Sequence, residues 1–278
     1  DVTPDILTID LLEEALDGGT LRITEVSEEG AVSFLRAENN GLKPVLILDG
    51  EELVGGKQNR IVNAAIIILP SAMMDIPVSC MEAGRWRTHR KDFSSGEAVF
   101  RTRGRAVHRA SVTSSLHRKR EFQSNQSAVW EEVNLSLAEM DASSATSDFR
   151  VGRAKVAHQI DSFTEAIHTF EHQVGSIFLS KHGVLGVELL AAPDLFRKCL
   201  PKIVRSYAFE VLADDSLSIA SIGLAARWWE KVLKAPLSQY PSPGAGEDIR
   251  VNLGSLIGSG LVWDGNLIHF SCFPRHAL

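Results

Sequence analysis

The chain has few cysteines and no long apolar run. Its three cysteines lie far apart and form no CxxC pair; they are Cys80, Cys199 and Cys272. This pattern argues against a disulfide framework and against a cysteine zinc site, and it fits a reducing compartment. No stretch reaches about 18 uninterrupted apolar residues, so we expect no membrane partner. We therefore predict a cytoplasmic protein, and the sequence leaves open whether it forms a homo-oligomer.

Aromatic side chains are scarce in the most basic part of the chain. Residues 85–120 contain eleven Lys or Arg but only Asp92 and Glu97 as acids, although the whole chain has a net charge of −6. A local concentration of positive charge favours an anionic partner. Binding of single-stranded nucleic acid also needs aromatic residues for stacking, and the band holds three: Trp86, Phe93 and Phe100. The band therefore predicts a small anionic ligand rather than a nucleic acid. The alternative is an arginine-rich solvated helix bridged to acidic neighbours.

Residues 1–95 are predicted to form a β-rich region. Leu21 and Ile23 alternate with polar residues, and the apolar runs 45–48 and 61–69 are typical of central strands. Asn39-Asn40-Gly41 is a turn signal between them. About five short strands joined by turns indicate an antiparallel, β-sandwich-like half, with an open barrel as the related alternative.

Residues 96–278 are predicted to contain helices and an antiparallel sheet. A four-three-four-three spacing of apolar residues predicts an amphipathic helix that ends near Gly175, formed by Val156, Ile160, Phe163, Ile167 and Phe170. Pro201 is expected to separate two further helices, and Asp264-Gly265 predicts a hairpin between the last two strands. The fold class is therefore α+β, in which the sandwich-like half packs with a helix-covered antiparallel sheet. The two regions form either two domains or one continuous domain.

A polar segment between two apolar runs is the best candidate for a functional site. Charged groups among buried strands are costly unless they pair with each other or with a ligand. Lys57 and Arg60 are suited to hold a phosphate or a carboxylate. The candidate ligand-binding residues of this segment are Glu51, Lys57, Gln58, Asn59 and Arg60.

Three residues are candidates for a catalytic role. Glu52 or Glu82 would act as a general base if burial raised its pKa. Cys80 would act as a nucleophile if neighbouring cations lowered its pKa, although buried strand cysteines are more often inert. Arg85 and Trp86 complete the candidate ligand-binding set. The alternative is a structural polar network in which the carboxylates pair with basic neighbours, and in which Trp86 closes the core.

One zinc-like motif is present. Residues 168–172 read HTFEH, which matches the HxxEH pattern of inverted zinc proteases. The buried stripe of the predicted helix leaves both histidines toward solvent, and no clear third ligand follows. We therefore predict no metal site, and the sequence identifies no cofactor.

The strings DGEELVGGKQNRIVNAAIIILP and IPVSCMEAGRW resemble a bacterial and archaeal family of unknown function, the ADP-ribosylglycohydrolase-and-rhodanese-phosphatase-associated proteins. The similarity continues to the GSGLVWDGNLIHFSCF end, and Gly56 stands where relatives often have alanine. The resemblance implies a role near NAD or ADP-ribose chemistry. Its signature includes every candidate residue named above, but no catalytic residue is established for the family.

These observations lead to a functional hypothesis with one rival. The segments 51–60 and 80–90 are predicted to meet in a pocket for an anionic, nucleotide-like small molecule. If the protein is an enzyme, it would hydrolyse or transfer a phosphate or ADP-ribosyl group. The rival is a non-catalytic binding or scaffold protein that acts beside NAD-linked enzymes and whose polar cluster is structural.

Overall fold

The computed structural model describes residues 8–27, 29–84, 90–212 and 221–275. The first elements are β1 (Asp10–Leu11), α1 (Leu12–Asp17), β2 (Leu21–Glu25), β3 (Phe34–Asn39), β4 (Val45–Ile47), β5 (Glu51–Gly56), β6 (Arg60–Val62), β7 (Ile66–Ile68), β8 (Met73–Cys80) and β9 (Arg90–Val99). They are followed by α2 (Thr102–Lys119), α3 (Gln126–Glu139), α4 (Phe149–Ala166), β10 (Gly175–Ser180), β11 (Gly183–Leu190), α5 (Pro193–Ala208), α6 (Ile222–Leu233), β12 (Leu237–Pro241), β13 (Glu247–Leu253), β14 (Leu256–Trp263) and β15 (Asn266–Pro274).

The N-terminal strands close into a barrel. Six antiparallel strands follow one another in the order β2, β3, β8, β6, β5 and β9. Alternating apolar residues such as Ile23, Leu35 and Leu53 are fully buried in one cluster, which also holds Ile47 of a small adjoining sheet. That sheet consists of β1, β4 and β7, and β1 pairs with β4 in parallel. A barrel removes sheet edges, which explains why such short strands suffice here.

The C-terminal strands form a second sheet. Its order is β10, β11, β15, β14, β13 and β12, and all neighbours are antiparallel. Helices α2, α5 and α6 pack on it. Phe196 and Ile203 of α5 share a buried apolar cluster with Phe273 of β15. The structure thus confirms the α+β class and the helix-covered antiparallel sheet.

Two helix predictions are wrong in detail. Helix α4 ends at Ala166, one turn before the apolar pattern does, and Phe170 is 81% exposed. Helix α5 continues through Pro201 instead of breaking there. Within the described residues, every helix is too short or too polar to cross a membrane.

Candidate functional site

Two parts of the predicted site meet at the end of the barrel. Arg60 faces Cys80 across the β6–β8 pairing. The Gln58 side chain donates to the carbonyl of Glu82 at 2.9 Å, and the backbone amide of Asn59 donates to the Glu82 carboxylate at 2.7 Å. Arg60 Nη1 donates to Gln58 Oε1 at 3.0 Å. These five residues are all buried, so the structure brings them together as one polar cluster.

Lys57 faces away from that cluster. Its Nζ donates to the carbonyl of Glu29 at 2.7 Å, and its backbone amide donates to Glu25 Oε1 at 2.9 Å. The preceding Gly55 lets β5 approach β9, because a Cβ there would lie 2.7 Å from the carbonyl oxygen of Asp92. The glycines thus serve the contact between strands. Arg85 and Trp86 lie outside the described residues.

Cys80 has the character of a structural thiol. Its side chain is 1% exposed. Burial raises its pKa, and the charge of Arg60 offsets this only in part. The thiolate is the reactive form of cysteine, so a raised pKa works against nucleophilic attack.

The adjacent carboxylates of β5 point to opposite sides of the strand. Glu51 accepts from the backbone amide of Leu48 at 2.9 Å and pairs with Lys202 of α5 at 3.1 Å. Glu52 pairs with Arg153 of α4, whose Nη2 lies 2.6 Å from Oε1 and also contacts Oε2. Glu51 and Glu52 therefore belong to different sites.

The Glu52–Arg153 pair lies beside a cavity of about 430 Å³ between β9 and α4. The residues that define its chemistry are Arg90, Ser94, Ser95, Gly96, Arg150 and Arg153. Among the described residues that line it, Glu97 is the only acid. Three guanidinium groups around one open cavity make it suited to an anion.

The three arginines differ in their partners. Arg150 forms a two-pronged pair with Asp148, with Nη2 2.8 Å from Oδ2, and Arg153 pairs with Glu52. Arg90 contacts the hydroxyl of Ser94 at 3.4 Å, and no carboxylate of the described part of the chain pairs with it. Among the described arginines that line the cavity, Arg90 is thus the one without a described carboxylate partner.

Glycine at position 96 places Glu52 next to this cavity. A Cβ on Gly96 would lie 2.6 Å from Glu52 Cβ and 2.9 Å from Oε2. Real Cβ atoms do not approach other atoms this closely, so only glycine lets β9 pass over the carboxylate. Glu52 is 1% exposed, and it contacts the cavity lining through Gly96 and Arg153.

Ser95 offers an oriented hydroxyl to the same cavity. Lys202 Nζ donates to Ser95 Oγ at 2.6 Å. Burial would lower the pKa of Lys202, but Glu51 and Glu13 outweigh it and raise the pKa, so the amine stays charged. Because an ammonium group only donates, the hydrogen of Ser95 points elsewhere, and its nearest acceptor is the carbonyl of Gly96 at 3.4 Å. Ser95 is therefore positioned to donate to a bound anion.

Part of the basic band is used inside the molecule. Three arginines of α2 recur every four residues and face carboxylates: Arg101 pairs with Glu210 at 3.1 Å, Arg105 with Glu188 at 2.6 Å, and Arg109 with Asp49 at 2.8 Å. Burial alone would raise the pKa of Asp49, but Arg109 and Arg250 hold it well below its usual range. This part of the band stabilises the packing of α2 between the barrel and the large sheet.

Asp49, His108 and Ser79 lie near one another in this buried region, but they do not form a catalytic triad. His108 Nε2 lies 2.8 Å from Asn63 Oδ1 and 3.4 Å from Ser79 Oγ. The Asn63 amide donates to the carbonyl of Phe122, so its oxygen accepts and His108 Nε2 carries the proton. His108 Nδ1 is 4.0 Å from Asp49, beyond hydrogen-bond distance. His108 therefore cannot take a proton from Ser79 in this arrangement.

Sequence reasoning missed the residues that shape the cavity. Arg150 and Arg153 are three apart on α4 and share a face with Ala154 and Ala157. That pattern of paired cations beside small residues was the available signal. The HTFEH motif, by contrast, follows the end of α4, and the described residues contain no cluster of metal-binding side chains.

Comparison with known proteins agrees with the signature strings. No curated protein and no solved structure matched the chain. A family model described as the ARG and Rhodanese-Phosphatase-superfamily-associated Protein domain matches residues 3–273. Because this match spans nearly the whole sequence, the chain belongs to the ARG and Rhodanese-Phosphatase-superfamily-associated Protein family.

Proposed function

We propose that the protein binds an anionic, nucleotide-like small molecule of ADP-ribose metabolism in the cavity between β9 and α4. The observation that carries the proposal is the cavity lining, which presents the guanidinium groups of Arg90, Arg150 and Arg153, the first of them without a described carboxylate partner. The association of the family with ARG proteins supports the same chemistry. Ligand pockets span roughly 300–1,000 Å³, and this cavity is of about 430 Å³.

The arrangement suits a diphosphate. A guanidinium group can donate two parallel hydrogen bonds to phosphate oxygens, and Arg90 and Arg150 lie at the open part of the wall. Ser95 adds a neutral donor whose orientation is fixed by Lys202. Arg153 pairs with Glu52, so its charge is balanced within the protein.

For catalysis, we propose hydrolysis or transfer at a phosphate or ADP-ribosyl bond, with Glu52 as general base. Glu52 is the buried carboxylate that lies against Gly96 and pairs with Arg153, two residues of the cavity lining. Glu82 lies in the other cluster, where it accepts from the amide of Asn59 at 2.7 Å and lies 3.4 Å from the Thr146 hydroxyl. In our proposal, Glu82 therefore has a structural role: together with Gln58, Asn59 and Arg60, it positions the turn between β5 and β6.

The test of binding is a calorimetric titration of the full chain with ADP-ribose, and with inorganic pyrophosphate as a second probe. We expect Arg90→Ala to weaken affinity about tenfold or more, because hydrogen bonds to charged groups contribute about 1.5–3 kcal/mol. Arg36→Ala is the matched control, since Arg36 is a half-exposed barrel arginine paired with Asp75. Equal affinities in all three proteins would refute the cavity as the site.

The test of catalysis must separate chemistry from stability. Glu52→Gln leaves the buried Arg153 without its carboxylate and so costs stability whatever the function. Glu52→Asp keeps the charge but withdraws the carboxylate by one methylene. We expect this variant to bind ADP-ribose normally. Its rate of product formation, measured by chromatography, should fall at least about tenfold. Unchanged turnover would remove Glu52 from the mechanism.

The second candidate function is a non-catalytic binding or scaffold role beside NAD-linked enzymes. It is favoured by the saturation of the signature residues: Glu51 pairs with Lys202 and Glu52 with Arg153. Binding of ADP-ribose without turnover would support this alternative in its binding form. If none of the probes binds, the scaffold form of this alternative, with a protein partner, would be favoured.

A further inference from the structure

The last turn of α2 carries positive charge at Arg118 and Lys119. Arg118 Nε donates to the carbonyl of Ser114 at 3.3 Å, within the same helix. Among the ion pairs of the described residues, none involves Arg118 or Lys119. Both side chains are exposed. Two uncompensated cations thus stand side by side at the end of a rigid helix.

These cations border a second cavity, of about 380 Å³, between the end of α2 and the start of α3. Ser111, Ser114, Ser115 and Ser124 supply hydroxyl groups to its wall. Of the described residues that line it, none is acidic and none is apolar. The C-terminal end of a helix carries roughly half a negative charge, which the two full charges of Arg118 and Lys119 exceed. The cavity is therefore both polar and net positive.

The far wall of this cavity is fixed to the protein core. Ser124 Oγ lies 2.5 Å from the buried Ser79 Oγ, which in turn donates to Asn63 Oδ1 at 2.7 Å. Ser111 Oγ accepts from the backbone amide of Asn125 at 3.0 Å. A wall held by such bonds loses little conformational entropy when a ligand binds.

We propose that this cavity is a second binding site, selective for a small phosphate monoester. A phosphate monoester carries about 1.5–2 negative charges at neutral pH and three acceptor oxygens. Arg118 and Lys119 match that charge. Ser111 already donates to the carbonyl of His108 at 2.8 Å and Ser124 is bonded to Ser79, so the hydroxyls of Ser114 and Ser115 are the ones that match the phosphate oxygens. The site is distinct from the cavity between β9 and α4, with which it shares no lining residue.

The experiment is a calorimetric titration of the full chain with ribose 5-phosphate, with ribose as the uncharged reference. We expect saturable binding of ribose 5-phosphate that Arg118→Ala/Lys119→Ala weakens about tenfold or more. Arg197→Ala/Lys198→Ala removes the same two residue types from an exposed stretch of α5, where Arg197 pairs with Asp194 and Lys198 with Glu14. This matched control should leave the affinity within about twofold.

Three outcomes would overturn the proposal. The first is the absence of saturable binding by the unmodified protein. The second is an equal loss in both double variants, which would mean that net charge alone is responsible. The third is a loss in Arg90→Ala instead of Arg118→Ala/Lys119→Ala, which would assign the binding to the first cavity. A failure of ADP-ribose binding, in contrast, would leave this proposal untouched.

Discussion

Arginine side chains gather in two regions of this molecule, and their surroundings differ. Beneath the large sheet, Arg105 and Arg109 are at most 1% exposed, and each faces a buried carboxylate. In the cavity between β9 and α4, Arg90 is exposed and no described carboxylate pairs with it. The comparison teaches that a count of arginines does not identify a ligand site. The ratio of cations to carboxylates, together with solvent access, separates a structural network from a binding surface.

The buried network is saturated on the carboxylate side. Asp49 accepts from Arg109 and from the Ser259 hydroxyl at 2.7 Å. Glu188 accepts from Arg105 and from the hydroxyl of Tyr207 at 3.0 Å. Burial alone would raise the pKa of Glu188, but Arg105 and His269 lower it to about 2. Such a network is costly to break because each removed partner leaves a buried charge.

The largest expected effect comes from breaking this network at its centre. Asp49→Ala removes the partner of Arg109, whose guanidinium has no access to water. We expect the free energy of unfolding to fall by about 3–5 kcal/mol in urea titrations. The control is Asp75→Ala, which breaks the exposed pair with Arg36 and should cost at most about 1 kcal/mol. Similar costs for both variants would mean that burial does not distinguish the two classes of pair.

The next effect is a loss of stability in mild acid. Burial lowers the pKa of His108 to about 4, and Asp49 offsets this only in part. The folded state thus binds fewer protons than the unfolded state, so stability is complete above about pH 6.5 and falls as the pH approaches 4. The shift corresponds to about 3 kcal/mol. Glu188 adds a further loss only below about pH 4.5.

His108→Gln tests the assignment of this acid effect. A glutamine amide can keep the donor to Asn63 Oδ1 but does not titrate. Urea midpoints of the variant should therefore stay level between pH 6.5 and about 4.5, whereas those of the unmodified protein should decline. A parallel decline in both proteins would place the titrating group elsewhere.

The sequence predicted the fold class better than the site. Alternation of apolar residues sufficed for β2, in which Leu21 and Ile23 are buried. Barrel closure could not be foreseen, because it depends on the β2–β9 and β5–β9 pairings between segments far apart in the chain. Pro201 misled the prediction because tertiary packing on both sides holds α5 together.

The site was predicted in part for a similar reason. The contact of Gln58 and Asn59 with Glu82 follows from two neighbouring strands, so local sequence indicated it. The pairing of Glu52 with Arg153 joins residues 101 positions apart. Long-range partners of this kind determine which carboxylate meets the cavity, and one sequence carries no signal for them.

A third prediction tests whether the cavity wall is as close to Glu52 as the geometry indicates. In Gly96→Ala the new methyl group would overlap Glu52 Cβ, and relief of such an overlap costs about 1–3 kcal/mol. Gly254→Ala is the control, because nothing lies within 4 Å of a Cβ there. We expect urea unfolding to show a clear loss for the first variant and a change within about 0.5 kcal/mol for the second. Equal stabilities would show that β9 can move away from the carboxylate.

The smallest effect should come from a single hydroxyl in the cavity between β9 and α4. It tests whether this cavity, unlike the buried arginine network, has a donor available to a ligand. The Ser95 and Ser94 hydroxyls both make a long bond to a carbonyl, Ser95 to Gly96 at 3.4 Å and Ser94 to Val54 at 3.3 Å. They differ in the cation that holds them, because Lys202 donates to Ser95 at 2.6 Å whereas Arg90 lies 3.4 Å from the Ser94 hydroxyl. A neutral hydrogen bond contributes about 0.5–1.5 kcal/mol, so Ser95→Ala should weaken ADP-ribose binding about two- to tenfold. Ser94→Ala, its neighbour on the same wall, should stay within about twofold. If the two serines behave alike, Lys202 does not orient the hydroxyl, and the cavity attracts anions through its arginines alone.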